Sequence, residues 1–320
     1  MSRKVVVTDY NFPALEAEEA AANAAGANFS AHQCGTDAEV AEAAADADVV
    51  AVQFARFGSL SAASVKPGAT VIRYGVGYDN IDLAAAAARG LKVGYVPDYC
   101  ADEVAEHAAA FVLALLRKLV ALDASVRAGE WDALGAVGPM KPFSRTVVGF
   151  FGMGRIGERL KARLAGFGFE FIAADPELTR ARAEAVGVEL VDADALLALS
   201  DILSLHAPAT PETVDFFDAA RLARMQPHAM IVNSARGQLI VEEDLARALT
   251  DGVIAGAALD VFRKEPLPAD SPLRSAPNCL LSPHAAWYSD TAIGRLQRMV
   301  ADDIARALDD RPPRRPVPGT

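Results

Sequence analysis

The stretch Val147-Val148-Gly149-Phe150-Phe151-Gly152-Met153-Gly154-Arg155-Ile156-Gly157 decides the fold. A short apolar run ends in a GxGxxG turn, and helical text follows from Glu158 to Phe167, so the glycines sit between a strand and a helix. In that context they permit a tight turn, let backbone N–H groups approach a pyrophosphate and allow close helix packing. The helix N-terminus adds partial positive charge. The motif also requires an acidic residue at the end of the next strand. Asp175 closes Phe171-Ile172-Ala173-Ala174, 18 residues past Gly157. A carboxylate there accepts hydrogen bonds from ribose hydroxyls and repels a 2′-phosphate, so NAD is expected rather than NADP. Arg180 and Arg182 follow several residues on.

On both sides of this stretch, short Val- and Ile-rich runs alternate with longer Ala-rich segments, the pattern of parallel α/β sheets. Strands are expected at Lys4 to Thr8, Asp48 to Phe54, Thr70 to Tyr74 and Lys92 to Gly94. Helices are expected at Ala14 to Ala25, Asp37 to Ala45 and Asp82 to Ala88, with Gly26 and Gly90 as stops. One long helix is predicted from Ala101, with Asp102 as N-cap and Gly129 as its end. A second series follows a Gly- and Pro-rich loop, with strands near Thr146 to Phe151, Glu170 to Ala174, Ile202 to Leu205, Ala229 to Asn233, Ile254 to Leu259 and Cys279 to Ser282. Six strands make a dinucleotide-binding sheet. A last helix is expected from Asp290 to Leu308, and the Pro- and Arg-rich tail from Arg311 to Thr320 reads as extended and loosely held.

The 320 residues suit two domains. Charged residues at 23% and hydrophobic ones at 52% are the balance of a globular protein, which excludes disorder and collagen-like repeats. A net charge of −11 repels phosphate backbones and anionic membranes, so neither nucleic acid nor membrane is an expected partner. Cys34, Cys100 and Cys279 are widely spaced and close no metal site, so no metal is expected and a reducing compartment fits. The opening Met-Ser-Arg-Lys-Val-Val-Val leads into a strand, and no run of about 18 uncharged apolar residues follows. A cytoplasmic protein is expected.

Three later segments each end a strand of the second series, where ligands of doubly wound folds collect. They are Asn233-Ser234-Ala235-Arg236-Gly237, Ala258-Leu259-Asp260-Val261-Phe262-Arg263-Lys264-Glu265-Pro266 and Ser282-Pro283-His284-Ala285-Ala286-Trp287. With them the chain resembles the D-isomer-specific 2-hydroxyacid dehydrogenase family from about Val52 to Leu308. His284-Ala285-Ala286-Trp287-Tyr288 and Arg73-Tyr74-Gly75-Val76-Gly77-Tyr78-Asp79-Asn80-Ile81-Asp82 are most similar to the branch containing the C-terminal binding proteins.

The resemblance implies an α/β architecture of two doubly wound parallel-sheet domains with a cleft between them. A flavodoxin-like substrate domain would comprise residues 1–100 plus 290–320, with a Rossmann NAD domain at 101–289 inserted. It also implies Arg236, Glu265 and His284 as the catalytic set. The chemistry of these side chains suits that role. When a hydride reaches a keto carbon, negative charge grows on the oxygen and a proton must arrive there. An imidazole, with an ordinary pKa of about 6.5, can supply it, a carboxylate can orient the ring, and an arginine fork can hold the substrate carboxylate and polarise the carbonyl. By resemblance Arg73, with Gly75, Val76 and Gly77, is a second substrate contact. Asp260 touches the nicotinamide carboxamide, and Ser234, Ala235, His206, Ala207, Pro208 and Thr213 line the cofactor beside the glycine turn from Gly152 to Gly157. Trp287, three residues past His284, would roof the pocket and favour an apolar or thioether-bearing acid.

The activity so implied is reversible hydride transfer between NAD(H) and a D-2-hydroxy acid/2-keto acid pair, in a homodimer joined near the helix after Ala101. Two alternatives stand beside it. One is an NAD(H)-sensing interaction protein like the corepressors of the branch resembled. The other is a family member specific for 3-phosphoglycerate, glyoxylate or hydroxypyruvate.

Overall fold

Val49-Val50-Ala51-Val52 is buried at every position, and a strand buried on both faces belongs inside a parallel sheet. The same holds for Ile202–Leu205 and Met230–Asn233. The computed structural model describes residues 2–320 and contains two units, one of residues 2–100 with Tyr288–Thr320 and one of Ala101–Trp287.

In the first unit, strands β1 (Lys4–Val7), β2 (Asn28–Ala31), β3 (Val49–Val52), β4 (Thr70–Arg73) and β5 (Lys92–Tyr95) alternate with helices α1 (Glu16–Ala24), α2 (Asp37–Ala43), α3 (Ser59–Ser64) and α4 (Leu83–Ala88). All pairings are parallel in the order β2-β1-β3-β4-β5, the flavodoxin-like arrangement. Polar caps fix the starts of α2 and α4. Thr36 and Glu39 form a reciprocal capping box at α2, and the Asp82 side chain accepts from Ala85 N at α4. Strand β2, an addition to the strands expected, has no apolar run because it is a half-exposed edge.

The second unit opens with α5 (Ala101–Leu116), α6 (Leu119–Arg127) and α7 (Ala133–Val137). The single helix expected from Ala101 to Gly129 is therefore broken. Lys118 takes a left-handed conformation, φ 51°, while its Nζ donates to Val137 O at the end of α7. No Gly or Pro marks the site, because a contact distant in sequence sets it. Then come β6 (Val147–Phe151), α8 (Arg155–Leu164), β7 (Glu170–Ala174), α9 (Arg180–Val186), β8 (Glu189–Leu190), α10 (Ala193–Leu199), β9 (Ile202–Leu205), α11 (Ala219–Leu222), β10 (Met230–Asn233), α12 (Glu242–Thr250), β11 (Gly256–Leu259) and β12 (Cys279–Leu281). The parallel order is β12-β11-β10-β9-β6-β7-β8, seven strands rather than six, the addition being the two-residue exposed edge β8. One apolar cluster joins Leu203, Leu205 and Ile231 to Leu196, Leu222 and Leu245. Another joins Val148, Phe150 and Val232 to Ala108, Val112 and Leu160. Helices thus cover both faces of the sheet, as a doubly wound fold requires.

The chain returns to the first unit as α13 (Asp290–Leu308), capped by Ser289 and packed on α1. The tail beyond it is held, contrary to the loose tail expected. Tyr95 N donates to Arg315 O at 3.1 Å, Val317 N donates to Val93 O at 2.8 Å, and Val317 is 2% exposed. Arg314 ties the same segment to α13, its N–H and Nε donating to Asp303 Oδ1 and its Nη2 to Met299 O, so contacts on both sides hold the tail.

Candidate active site

The strand order reverses between β6 and β9, and ligands of open α/β sheets bind outside the carboxyl ends of strands at such a switch point. The glycine turn leaves β6, Asp175 follows β7, His206 follows β9, Ser234 to Arg236 follow β10, Asp260 to Glu265 follow β11, and His284 follows β12. Gly152 has φ +90°, and a Cβ on it would come 2.8 Å from Ala207 N, so the turn is pressed onto the exit of β9. At Gly154, N-cap of α8, nothing lies within 4 Å of a Cβ position, which leaves space above the turn. Met153 is buried, Arg155 and Ile156 begin α8, and Gly157 packs against Gly152 O.

Asp175 ties this turn to β7. Its Oδ2 accepts from Met153 N at 2.7 Å and its Oδ1 from Glu177 N at 2.8 Å. The His206 ring stacks on Phe150 with centroids 6.0 Å apart, and its Nε2 is 2.9 Å from Ser204 Oγ. Burial brings its pKa down to about 4, so the ring is neutral at pH 7. Thr213 Oγ1 donates to Pro208 O at 2.6 Å and accepts from Thr210 N at 2.8 Å, which staples the loop beyond Ala207.

Arg236, Glu265 and His284 follow the adjacent strands β10, β11 and β12. The Asn233 side chain shapes the first of these loops. Its Nδ2 donates to Arg236 O at 2.8 Å, and its Oδ1 accepts from Ala235 N at 3.0 Å. At Gly237 a Cβ would lie inside van der Waals contact with the Phe262 carbonyl and Arg263 N, so the loops carrying Arg236 and Glu265 touch through bare backbone. Glu265 Oε1 accepts from Phe262 N at 2.9 Å, and Oε2 lies 2.6 Å from His284 Nδ1. A carboxylate only accepts, so the proton between them sits on Nδ1 and Nε2 is the nitrogen that can exchange a proton with a substrate.

His284 has φ 53°, uncommon for a residue with a side chain. Its N–H donates to Asp260 O at 2.8 Å and Ser282 O at 3.1 Å. Asp260 is 1% exposed, and its carboxylate accepts from Ala285 N at 2.8 Å, Ala286 N at 2.9 Å and Ser282 Oγ. Asp260 therefore underpins the His284 loop, a role its place in the sequence did not disclose. Ser282, His107 and Asn233 were also missed. Each acts through a hydrogen bond to a residue distant in sequence or in a turn, and no motif spacing records that. Trp287 is buried, at 8% exposure, while Tyr288 is 63% exposed.

Arg73 ends β4 in the first unit, and Gly75, Val76 and Gly77 follow it. Gly75 has φ +136°, and a Cβ there would strike the Arg73 guanidinium, which bends back to donate to Tyr74 O. Val96 N closes the turn onto Gly75 O at 3.0 Å.

The residues present suit a bound dinucleotide. Space lies above Gly154, and the Ser234 Oγ is buried with no hydrogen-bond partner. Among the described residues no group of three or more His, Cys, Asp or Glu could hold a metal ion, and no helix is long and apolar enough to cross a membrane.

The family model described as D-isomer specific 2-hydroxyacid dehydrogenase, NAD binding domain, matches residues 109–286. The chain belongs to this family. A D-3-phosphoglycerate dehydrogenase of Mycobacterium tuberculosis is 42% identical over 238 residues, which span 74% of this chain and 44% of that protein. The chain thus spans less than half the length of that relative. A glyoxylate reductase of Korarchaeum cryptofilum is 39% identical over 73% of this chain and 71% of its own. Among solved structures, the pyruvate reductase of Chlamydomonas reinhardtii superposes with a TM-score of 0.80 at 29% identity, covering 98% of both chains.

Proposed function

We propose that the protein is an NAD(H)-dependent dehydrogenase that interconverts a D-2-hydroxy acid and its 2-keto acid. The 2.6 Å contact between His284 Nδ1 and Glu265 Oε2, beside the Arg236 loop, carries this reading. A bound dinucleotide supplies or takes up the hydride. In reduction, His284 Nε2 hands a proton to the carbonyl oxygen while Glu265 keeps the ring oriented through Nδ1. The Arg236 guanidinium holds the substrate carboxylate and stabilises charge growing on the oxygen. Arg73 is proposed as a further substrate contact.

Gly152 to Gly157 would receive the pyrophosphate at the N-terminus of α8, Asp175 the adenosine ribose, and Ser234 Oγ a polar atom of the nicotinamide half. Two backbone N–H groups already fix the Asp175 carboxylate, so it presents an oriented negative charge that disfavours a 2′-phosphate. The substrate is proposed to be a small 2-keto acid. The named relatives make 3-phosphohydroxypyruvate, glyoxylate and pyruvate the first to try, with an apolar acid to test what Trp287 selects.

A homodimer is proposed through α6, α7 and the turn between them, where Leu119, Val120, Val126, Trp131 and Leu134 are all more than half exposed. A cytoplasmic setting belongs to the same proposal. The test is the initial rate of NADH oxidation across the panel, with NADPH and with His284→Gln. Turnover with NADH that falls at least about 100-fold in the variant is expected. Wild-type turnover in His284→Gln at saturating substrate would refute the proton role.

A further inference from the structure

Behind the His284 loop, on the side of α5, stands a second histidine that the proposed chemistry does not use. His107 Nε2 is 3.1 Å from Ser282 Oγ and 3.8 Å from Asp260 Oδ1. Its ring is packed edge-on against Phe111, centroids 4.5 Å apart, which restricts its rotation. Counting protons fixes the direction of the chain. Asp260 can only accept, so the single Ser282 hydroxyl proton goes to Asp260 Oδ1, and the hydroxyl must then accept from His107. His107 therefore carries its proton on Nε2.

The Asp260 carboxylate passes this constraint to the loop, because it also receives the N–H groups of Ala285 and Ala286, while the Asp260 carbonyl receives that of His284. Two anchors thus bracket His284. Glu265 holds the ring from one side, and the chain from His107 through Ser282 to Asp260 holds the left-handed backbone from the other.

We propose that His107 is a positioning residue for His284, acting through Ser282 and Asp260 as a directional hydrogen-bond chain. The proposal rests on His284 being the proton-transfer group. Without the chain, the buried Asp260 carboxylate loses a donor and the loop relaxes toward ordinary backbone angles. His284 Nε2 then leaves the position from which it reaches the substrate carbonyl. Small displacements of a reacting group cost large factors in rate, whereas dinucleotide binding at the glycine turn is untouched.

The test uses His107→Leu, Ser282→Ala, the double variant and His107→Gln, whose side-chain amide can still donate to Ser282. Turnover of the best 2-keto acid, NADH affinity by fluorescence, and ring-nitrogen NMR are measured on each. The expected result is a kcat lowered by roughly 10- to 100-fold in each single variant, little further loss in the double, and substantial recovery in His107→Gln. NADH affinity should stay within about twofold. At a pH where the ring is neutral, the His107 signal, assigned among five histidines by its loss in His107→Gln, should show the Nε2–H tautomer. The His284 ring signals should move in His107→Leu and Ser282→Ala and return in His107→Gln.

A His107 ring protonated on Nδ1 would overturn the proposal. So would unchanged kcat in both single variants, or multiplicative losses in the double. If the wild-type protein turns over no 2-keto acid, the dehydrogenase reading fails, and the tautomer and the movement of the His284 signals still decide whether the chain positions this loop.

Discussion

Replacing Gly237 with alanine adds one carbon where the loops after β10 and β11 touch. Ordinary contact begins near 3.4 Å, and the built Cβ falls short of that distance from the Phe262 carbonyl carbon on the order of 1.5 Å. The obstacle is backbone, so no side-chain rotation relieves it. Either the β11 exit retreats or the β10 exit does. The first movement carries Phe262 N away from Glu265 Oε1 and loosens the carboxylate that orients His284. The second moves Arg236, whose carbonyl is held by Asn233.

Overpacking of this kind costs about 1–3 kcal/mol of stability, and a shift near 1 Å at a catalytic group costs about 100-fold in rate. Gly237→Ala should therefore lower the denaturant midpoint modestly and kcat severely. Paired urea titrations and steady-state rates read both. A variant with the wild-type midpoint and a kcat within twofold would refute the claim that these two loops position each other.

Other consequences follow from groups elsewhere in the fold. His206 has a folded pKa of about 4 against an ordinary 6.5, so its stabilising effect is complete above pH 6.5. It is lost as pH falls from 6.5 to about 4, amounting to about 3 kcal/mol. In urea unfolding across that window the stability of the wild type should decline relative to that of His206→Gln as pH falls, and parallel curves would contradict it. Val317→Ala should cost about 1–2 kcal/mol, because it removes buried methyl groups from the strip laid along β5. A loss below about 0.3 kcal/mol in chemical denaturation would mean that the tail is not part of that core. The initial rate of keto-acid reduction should fall as pH rises, since reduction draws a proton through His284. A rate flat from pH 6 to 10 would assign the proton to another source.

The glycine turn and Asp175 were legible because a strand, a tight turn and a helix start each leave a local signature of residue type and spacing. The segments carrying Arg236, Glu265 and His284 were legible as strand ends, and the roles of these residues came only with the family resemblance. Their mutual placement was not, because it depends on β10, β11 and β12 lying side by side, and strand adjacency is set by packing far along the chain. The missed edge strands are short, β2 half exposed and β8 exposed at both residues, and neither carries the apolar run that marks a buried strand. The break at Lys118 had no breaker residue to announce it. The tail misled for the opposite reason. Its Pro-rich composition argues against a core, yet a buried valine, two backbone bonds to β5 and the bonds of Arg314 to Asp303 and Met299 O dock it.

That docked tail also settles how the first sheet ends on its β5 side. An uncovered parallel edge offers a row of unmet N–H and C=O groups to any extended chain that drifts by. Along β5, Arg315 and Val317 take up two of those backbone bonds, and Gly94 bridges Pro316 in antiparallel sense. Beside them, Pro312, Pro313, Pro316 and Pro318 have no N–H to give to a further strand. The cover is thus a poor template itself, and growth of the sheet stops there instead of passing to a neighbouring molecule.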